Sequence, residues 1–327
     1  MKWLGIEFDL YHIRLNEQII LVLHSENMKV SAYLSVFLLL ILLTQNLSAK
    51  EVSSFKVYGS VRVMLENNAD KELSIEDALS RIGVKSSRHL LPNAEGFAAV
   101  EYGKGSGDKE LARRVIFAGV KGSWGSLSYG TQTQVWHKFV RGAKFSDQLD
   151  TLRLGTIRDQ DSFQYFTKIG KIRLGTSRSF EKQGNEHTQF GVAIPFGKNK
   201  LGVAYTRDSN GGLLGIRPEW VLNKTQISIL YYRADPDFSA HGANLCRDSG
   251  DSITQGIYAK QTFNDGLWIH ARYMERDCHD NEKDARSFKT EIAKKLNNRT
   301  RLWLAYEVGD AGNVKDNEVQ LGFRFDF

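Results

Sequence analysis

From residue 55 to the end, the chain reads as a run of short segments whose apolar residues fall at every second position. No helical period is sustained between them. A side-chain period of two belongs to extended strands, whose successive side chains point to opposite faces. The last nine residues are the cleanest case. Val319, Leu321, Phe323, Phe325 and Phe327 share one face, and Gln320, Gly322, Arg324 and Asp326 share the other. Residues 55–63 repeat the pattern, with Lys56, Tyr58, Ser60 and Arg62 on the polar side. Roughly sixteen such segments are predicted.

A single half-apolar strand suits a soluble sandwich as well as a membrane barrel, so the connections must separate the two. They alternate in length. Tight turns stand at Ile169-Gly170, Gly197-Lys198-Asn199, Asn223-Lys224, Asn264-Asp265 and Asn297-Asn298. Between them lie longer stretches at 66–79, 103–110, 132–160, 179–186, 208–212, 234–251, 275–284 and 309–317. Short turns at one end and long loops at the other are expected of a transmembrane β-barrel, and a sandwich has no reason to make them. A mean hydropathy of -0.37 excludes a helical membrane bundle. It leaves a barrel open, because half of every barrel strand is polar. Pro218 falls inside the segment 214–223, where it removes a ladder hydrogen bond, so a bulge or a later strand start is expected there.

The long apolar run at 30–43 is shorter than the roughly 20 residues a transmembrane helix needs. It follows Lys29 and runs out through Ser48-Ala49, the order of a secretory signal, so 28–49 is read as a signal peptide cleaved after Ala49. Met28 is then a natural start, and 1–27 is an overlong gene-model start or an extended leader. The mature part, 50–327, loses Lys2, Arg14 and Lys29 against Glu7, Asp9, Glu17 and Glu26, so its charge rises by one from the +6 of the whole chain. The basic residues are scattered along strand-like segments, without the concentrated basic face that nucleic-acid binding requires.

At Tyr58-Gly59, Ser80-Arg81-Ile82-Gly83-Val84-Lys85, Phe117-Ala118-Gly119-Val120-Lys121-Gly122, Gly125-Ser126-Leu127-Ser128-Tyr129-Gly130 and the closing Gly322-Phe323-Arg324-Phe325-Asp326-Phe327, the chain resembles the Gram-negative general porins. The likeness spans 50–327. It implies an all-β, transmembrane antiparallel barrel of sixteen strands, a homotrimer in the bacterial outer membrane, and a third long loop, here 132–160, folded into the lumen. It further implies passive diffusion of ions and small hydrophilic solutes, no cofactor, contact with lipid and lipopolysaccharide, and a terminal Phe327 read by the barrel-assembly machinery. In the family, acidic loop residues oppose a ladder of arginines. Arg81 matches one rung, Arg114, ahead of the FAGVKG strand, a second, and Arg158 a third, with Arg62 on the same polar side.

Two departures from the family bear on charge. Thr131 stands where an arginine is usual, and the acidic Pro-Glu-Phe-Gly-Gly type of loop segment is missing. The loop instead carries Lys138, Arg141, Lys144, Arg153 and Arg158 against Asp147, Asp150 and Asp159, which implies weak or anion selectivity. Trp136, Phe139 and Phe145 are candidates for a greasy path through a substrate-specific channel; a structural barrel serving as a surface receptor is the other alternative. Cys246 and Cys278 fall in neighbouring outer loops, and export through an oxidising periplasm predicts a disulfide between them. His241 and His279 lie close by, but the spacing matches no strong zinc pattern. Gly103-Lys104-Gly105-Ser106-Gly107-Asp108 lacks the ending of a phosphate loop, and no Gly-x-Ser-x-Gly or His-Glu-x-x-His occurs, so no enzyme is expected.

Overall fold

A computed structural model of the chain describes residues 9–15, 18–24, 54–68, 73–104, 111–141, 145–146, 157–180, 186–236, 238, 251–278, 284–311 and 314–327. The chain divides into two units. In the first, Asp9–Leu15 and Gln18–His24 form an antiparallel hairpin. The expected signal segment, 28–49, lies outside the described residues.

The second unit is a closed barrel in which every strand is antiparallel to its neighbours. Its strands are β1 (Ser54–Asn68), β2 in two pieces (Ser74–Asp77 and Arg81–Leu91), β3 (Ala94–Lys104), β4 (Leu111–Gly122) and β5 (Gly125–Thr133). A short helix, α1 (Val135–Val140), precedes β6 (Arg158–Ile169), β7 (Ile172–Ser179), β8 (His187–Phe196), β9 (Asn199–Arg207) and β10 (Gly212–Leu222). The wall continues with β11 (Thr225–Ala234), β12 (Ser252–Thr262), β13 (Leu267–Asp277), β14 (Ala285–Lys295), β15 (Thr300–Ala311) and β16 (Val314–Asp326). Sixteen strands therefore close the wall, as the alternation predicts. No helix among the described residues is long and apolar enough to cross a membrane, which says nothing against crossing by strands.

The pleat sorts side chains as the sequence pattern requires. Val57, Val61, Val63 and Leu65 of β1 are exposed outside, while Ser60, Arg62 and Met64 are buried inside. On β16, Val319, Leu321, Phe323 and Phe325 are exposed outside and Gln320 is buried. Near the tight turns Trp124, Phe196, Phe263 and Phe327 add exposed aromatics, as in the girdles of membrane barrels. The turns are tight because Gly170 (φ 59°) and Asn223 (φ 55°) take the left-handed conformation that short hairpins demand. The final long connection is shorter than predicted: β15 and β16 stay paired as far as Ala311 and Val314.

Two irregularities have local causes. Between the pieces of β2, Leu79 adopts φ 69° and one extra residue bulges from the ladder opposite β1. There Ser80 substitutes for the missing strand contacts: its Oγ accepts from Arg62 N at 2.8 Å, and its N donates to Asp77 Oδ1 at 2.6 Å. At Pro218 neither a bulge nor a later start occurs. The β10 strand runs through, and its pairing with β11 lapses between Ile216↔Tyr231 and Glu219↔Ser228 without a change of register.

Closure rests on the seam between β16 and β1. Leu321 pairs with Leu65 and Asp326 with Ser60, and beyond the last strand residue Phe327 and Gly59 exchange two backbone hydrogen bonds of 3.1 Å. The Phe327 ring covers Gly59, where a Cβ would strike both that ring and the Arg81 carbonyl. Gly59→Val is therefore expected to reduce the yield of folded barrel much as deletion of Phe327 does. Heat-modifiable gel mobility of the two variants checks this; native yield from both would contradict a closing role for the contact.

Candidate functional site

The connection between β5 and β6 does not stay outside the wall. Val135, Trp136, Phe139 and Val140 recur at helical spacing, forming the one apolar stripe of α1, and all four are buried. The stripe lies on the inner faces of β7 to β10, where Gly175, Gly191, Gly202 and Gly215 present no side chain. The Phe139 ring covers Gly175 and Gly191, its carbonyl lies over Gly202, and the Trp136 ring covers Gly215; a Cβ at any of the four would collide. Hydrogen bonds hold the fit. Trp136 N donates to Gln189 Oε1 at 2.8 Å, Tyr232 OH donates to the Val140 carbonyl at 2.7 Å, and Gln134 N donates to the Ile157 carbonyl at 3.1 Å where the loop returns.

Further along, the loop reaches the next arc of the wall, β12 to β14. The Phe145 ring lies against His270 with centroids 4.4 Å apart and the planes tilted by 31°, and Ser146 donates to Glu291 through its N (2.6 Å) and its Oγ (2.8 Å). His270 engages Glu291 through Nε2 at 2.7 Å and the Tyr258 hydroxyl through Nδ1 at 3.0 Å. The aromatics expected to form a greasy path are thus spent on anchoring. Trp136, Phe139 and Phe145 are 2%, 4% and 3% exposed and face the wall rather than the open lumen. Their rings find a dry contact there that water in the channel cannot offer.

Beside α1 lies a cavity of about 860 Å³. Nine cationic side chains line it: Arg81 and Lys85 from β2, Lys138 and Arg141 from the loop, Arg158 from β6, Arg173 from β7, Lys200 from β9, Arg217 from β10 and Lys260 from β12. Only Glu101 and Glu219 oppose them among the described lining residues. Each glutamate is shared between cations. Glu101 meets Arg114 at 3.1 Å and Arg81 at 3.8 Å; Glu219 meets Lys200 at 2.9 Å and also Arg217. Several cations rest instead on aromatic faces, Lys85 at 4.6 Å from Tyr58, Lys138 at 4.2 Å from Phe166, Arg173 at 5.1 Å from Phe166 and Lys260 at 5.0 Å from Trp268. Such a contact positions a cation without cancelling its charge.

Of the residues singled out in the sequence, Arg81, Lys138, Arg141 and Arg158 are brought together on this cavity. Arg114 lies within β4, which starts at Leu111 as predicted, and is buried against Glu101. Arg62 is fully buried on the inner face and donates through Nε to Ser60 Oγ at 3.0 Å. Asp159 hydrogen-bonds His187 at 3.0 Å and Gln189 at 3.2 Å. Lys144, Asp147, Asp150, Arg153, Cys246, His241 and His279 lie outside the described residues. Cys278 is buried and disulfide-bonded. Sequence reasoning missed Lys85, Arg173, Lys200, Arg217 and Lys260, whose only signal was their place on the polar face of alternating strands.

Lys138 is electrostatically distinctive. Burial of its surroundings, followed by the neighbouring Arg173, pushes its amine down to about 7, and Asp159 offsets this in part. Part of the side chain still meets lumen solvent, and the amine donates to Gln164 Oε1 at 2.8 Å.

No protein-family model matches this chain, and neither does any curated protein sequence. Solved structures do match. OmpT of Vibrio cholerae, in its trimer form, superposes with a TM-score of 0.71 at 17% identity, covering 85% of this chain and 100% of that one. OmpF of Salmonella typhi in complex with daunomycin gives 0.68 at 14% identity, covering 84% and 97%. An anion-selective porin from Comamonas acidovorans gives 0.65 at 16% identity, covering 84% and 100%. The fold is therefore that of the outer-membrane porins.

Removing the Phe139 ring should release α1 from its glycine-lined bed. Phe139→Ala is expected to weaken this docking by about 3 kcal/mol and to speed protease cleavage within 132–160 while the barrel stays intact. Cleavage at the native rate would count against the ring as the anchor.

Proposed function

We propose that this protein is a bacterial outer-membrane porin, a homotrimer whose barrels each conduct ions and small hydrophilic solutes by passive diffusion, with a preference for anions. The observation that carries the reading is the charge of the lumen: nine Lys and Arg against two Glu on the cavity beside α1, inside a barrel with an apolar exterior. An exterior of that extent is costly in water and suited to lipid. The loop 132–160 acts as the constriction, because its anchored parts lie inside the barrel along a broad arc of the wall, α1 on β7 to β11 and Phe145 and Ser146 on β12 to β14. Fixed cations around a narrow wet passage raise the local concentration of anions and repel cations. The Comamonas porin with the same fold is anion-selective. Trimer assembly and contact with lipid, lipopolysaccharide and the barrel-assembly machinery are part of the same reading, and no cofactor is required.

One group of side chains resembles a hydrolase trio in composition but not in wiring. Ser146, His270 and Glu291 adjoin one another, but the Ser146 hydroxyl donates to Glu291 and His270 is engaged by Glu291 and Tyr258. The nucleophile–base hydrogen bond that activates a serine is not made by this trio.

Purified protein in a planar bilayer under a salt gradient should give reversal potentials of anion preference. That preference should fall as pH rises from about 6 to 8, because Lys138, held near 7, is charged below that value and neutral above it. Lys138→Met should flatten the pH dependence. Strong cation selectivity would overturn the charge reading, and absence of channels would favour a structural barrel. We also propose that Cys246 and Cys278 are joined to each other across the two outer loops. The intact protein should migrate faster on a non-reducing gel than after reduction, and labelling of two free thiols on fresh protein would refute the pairing.

A further inference from the structure

Two cations on the cavity beside α1 are held close together with no carboxylate paired to either. Lys138 of α1 and Arg173 of β7 both lie against the Phe166 ring, at 4.2 and 5.1 Å from its centroid. Arg173 is also 5.4 Å from the Phe139 ring, which stacks on Phe166. Both residues are exposed and line the cavity. Their proximity is felt at the amine: after burial, the Arg173 charge is what holds Lys138 near 7. The carboxylates within reach are engaged elsewhere, Asp159 of β6 by His187 of β8 and Glu219 of β10 by Lys200 of β9 and by Arg217. Arg141 and Arg158 add further charge of the same sign.

The pair also keeps donors in hand. Lys138 spends one of its three N–H donors on Gln164. Among the described residues Arg173 makes no hydrogen bond or ion pair, only its ring contacts. Like charges brought together repel, and a partly buried setting strengthens the repulsion. Chloride or nitrate offsets one of the two charges. A divalent oxyanion offsets both, and its several oxygens accept from the guanidinium fork and from the remaining ammonium donors.

We propose that Lys138 and Arg173 together bind a divalent oxyanion in the lumen, so that the channel ranks divalent anions above monovalent ones. The inference rests on the porin reading and names the solute class of its cavity. Single channels are recorded in chloride, and sulfate is compared with nitrate as a blocker. Sulfate keeps both charges throughout, so any pH dependence belongs to the protein. At about pH 6, sulfate should reach half-block at about ten-fold lower concentration than nitrate. Its half-block concentration should rise about ten-fold toward pH 8, as the Lys138 amine loses its proton. Arg173→Gln and Lys138→Met should each bring the two half-block concentrations together, and Lys138→Met should also flatten the pH dependence. Lys85→Gln, which removes a cation standing on the Tyr58 ring of the same cavity, should change the ratio much less. Because both anions are read on the same inserted channel, the ratio does not depend on how much variant protein folds. Equal effects of all three substitutions would assign the preference to the general field of the lumen and overturn the site. Equal block by sulfate and nitrate in the native, anion-selective channel would overturn this inference alone. Absence of channels, or cation selectivity, would overturn the porin reading and this inference with it.

Discussion

The structure depends on a closed ladder of backbone hydrogen bonds. A strand at an open edge leaves a row of N–H and C=O groups without partners, which hydrocarbon cannot satisfy. Here the row is closed when β16 pairs with β1 and Phe327 exchanges hydrogen bonds with Gly59. Once the ring is closed, each residue faces either the outside or the lumen, and the period-two alternation becomes an apolar exterior around a polar interior. The features that follow, from the cationic lining to the docked loop, presuppose that enclosure. The bulge at Leu79, which shifts the register by one residue, and the lapse at Pro218, which leaves it unchanged, are tolerated because each interrupts the ladder only locally.

Within the enclosure, packing and charge divide the work between two kinds of aromatic. Trp136, Phe139 and Phe145 fasten the loop to the walls. Tyr58, Phe166 and Trp268 belong to the wall itself and carry cations on their faces. A guanidinium or ammonium placed this way keeps its net charge, whereas one paired with a carboxylate is largely neutralised. Glu101 and Glu219, each held between two cations, leave the balance strongly positive. Phe166, which orders Lys138 and Arg173, also stacks on Phe139, so one ring links the cationic lining to the docked loop.

Much of the fold was legible in the sequence because its signals are local. Alternation marks the strands, Asn and Gly mark the turns, and the contrast between short and long connections marks the two ends of the barrel. The candidate site was legible only in part. Arg81, Arg158, Lys138 and Arg141 could be placed on the lumen by strand phase or by the loop they occupy. The helical spacing of Val135, Trp136, Phe139 and Val140 was present too, but six residues make too short a run to stand out against the strand pattern.

The sequence by itself determined that the chain forms sixteen alternating strands, which residues of each strand share a face, and that one long segment interrupts them. Only the tertiary structure decided where that segment goes and what the lumen presents. The bed for α1 is made by Gly175, Gly191, Gly202 and Gly215, one from each of four strands, and no pattern along the chain marks them as a set. The cationic cavity joins residues of β2, β6, β7, β9, β10 and β12, which meet only once the barrel has closed. Strand phase fixes the face a side chain occupies, whereas its level and its neighbours across the wall depend on how the closed ladder is aligned.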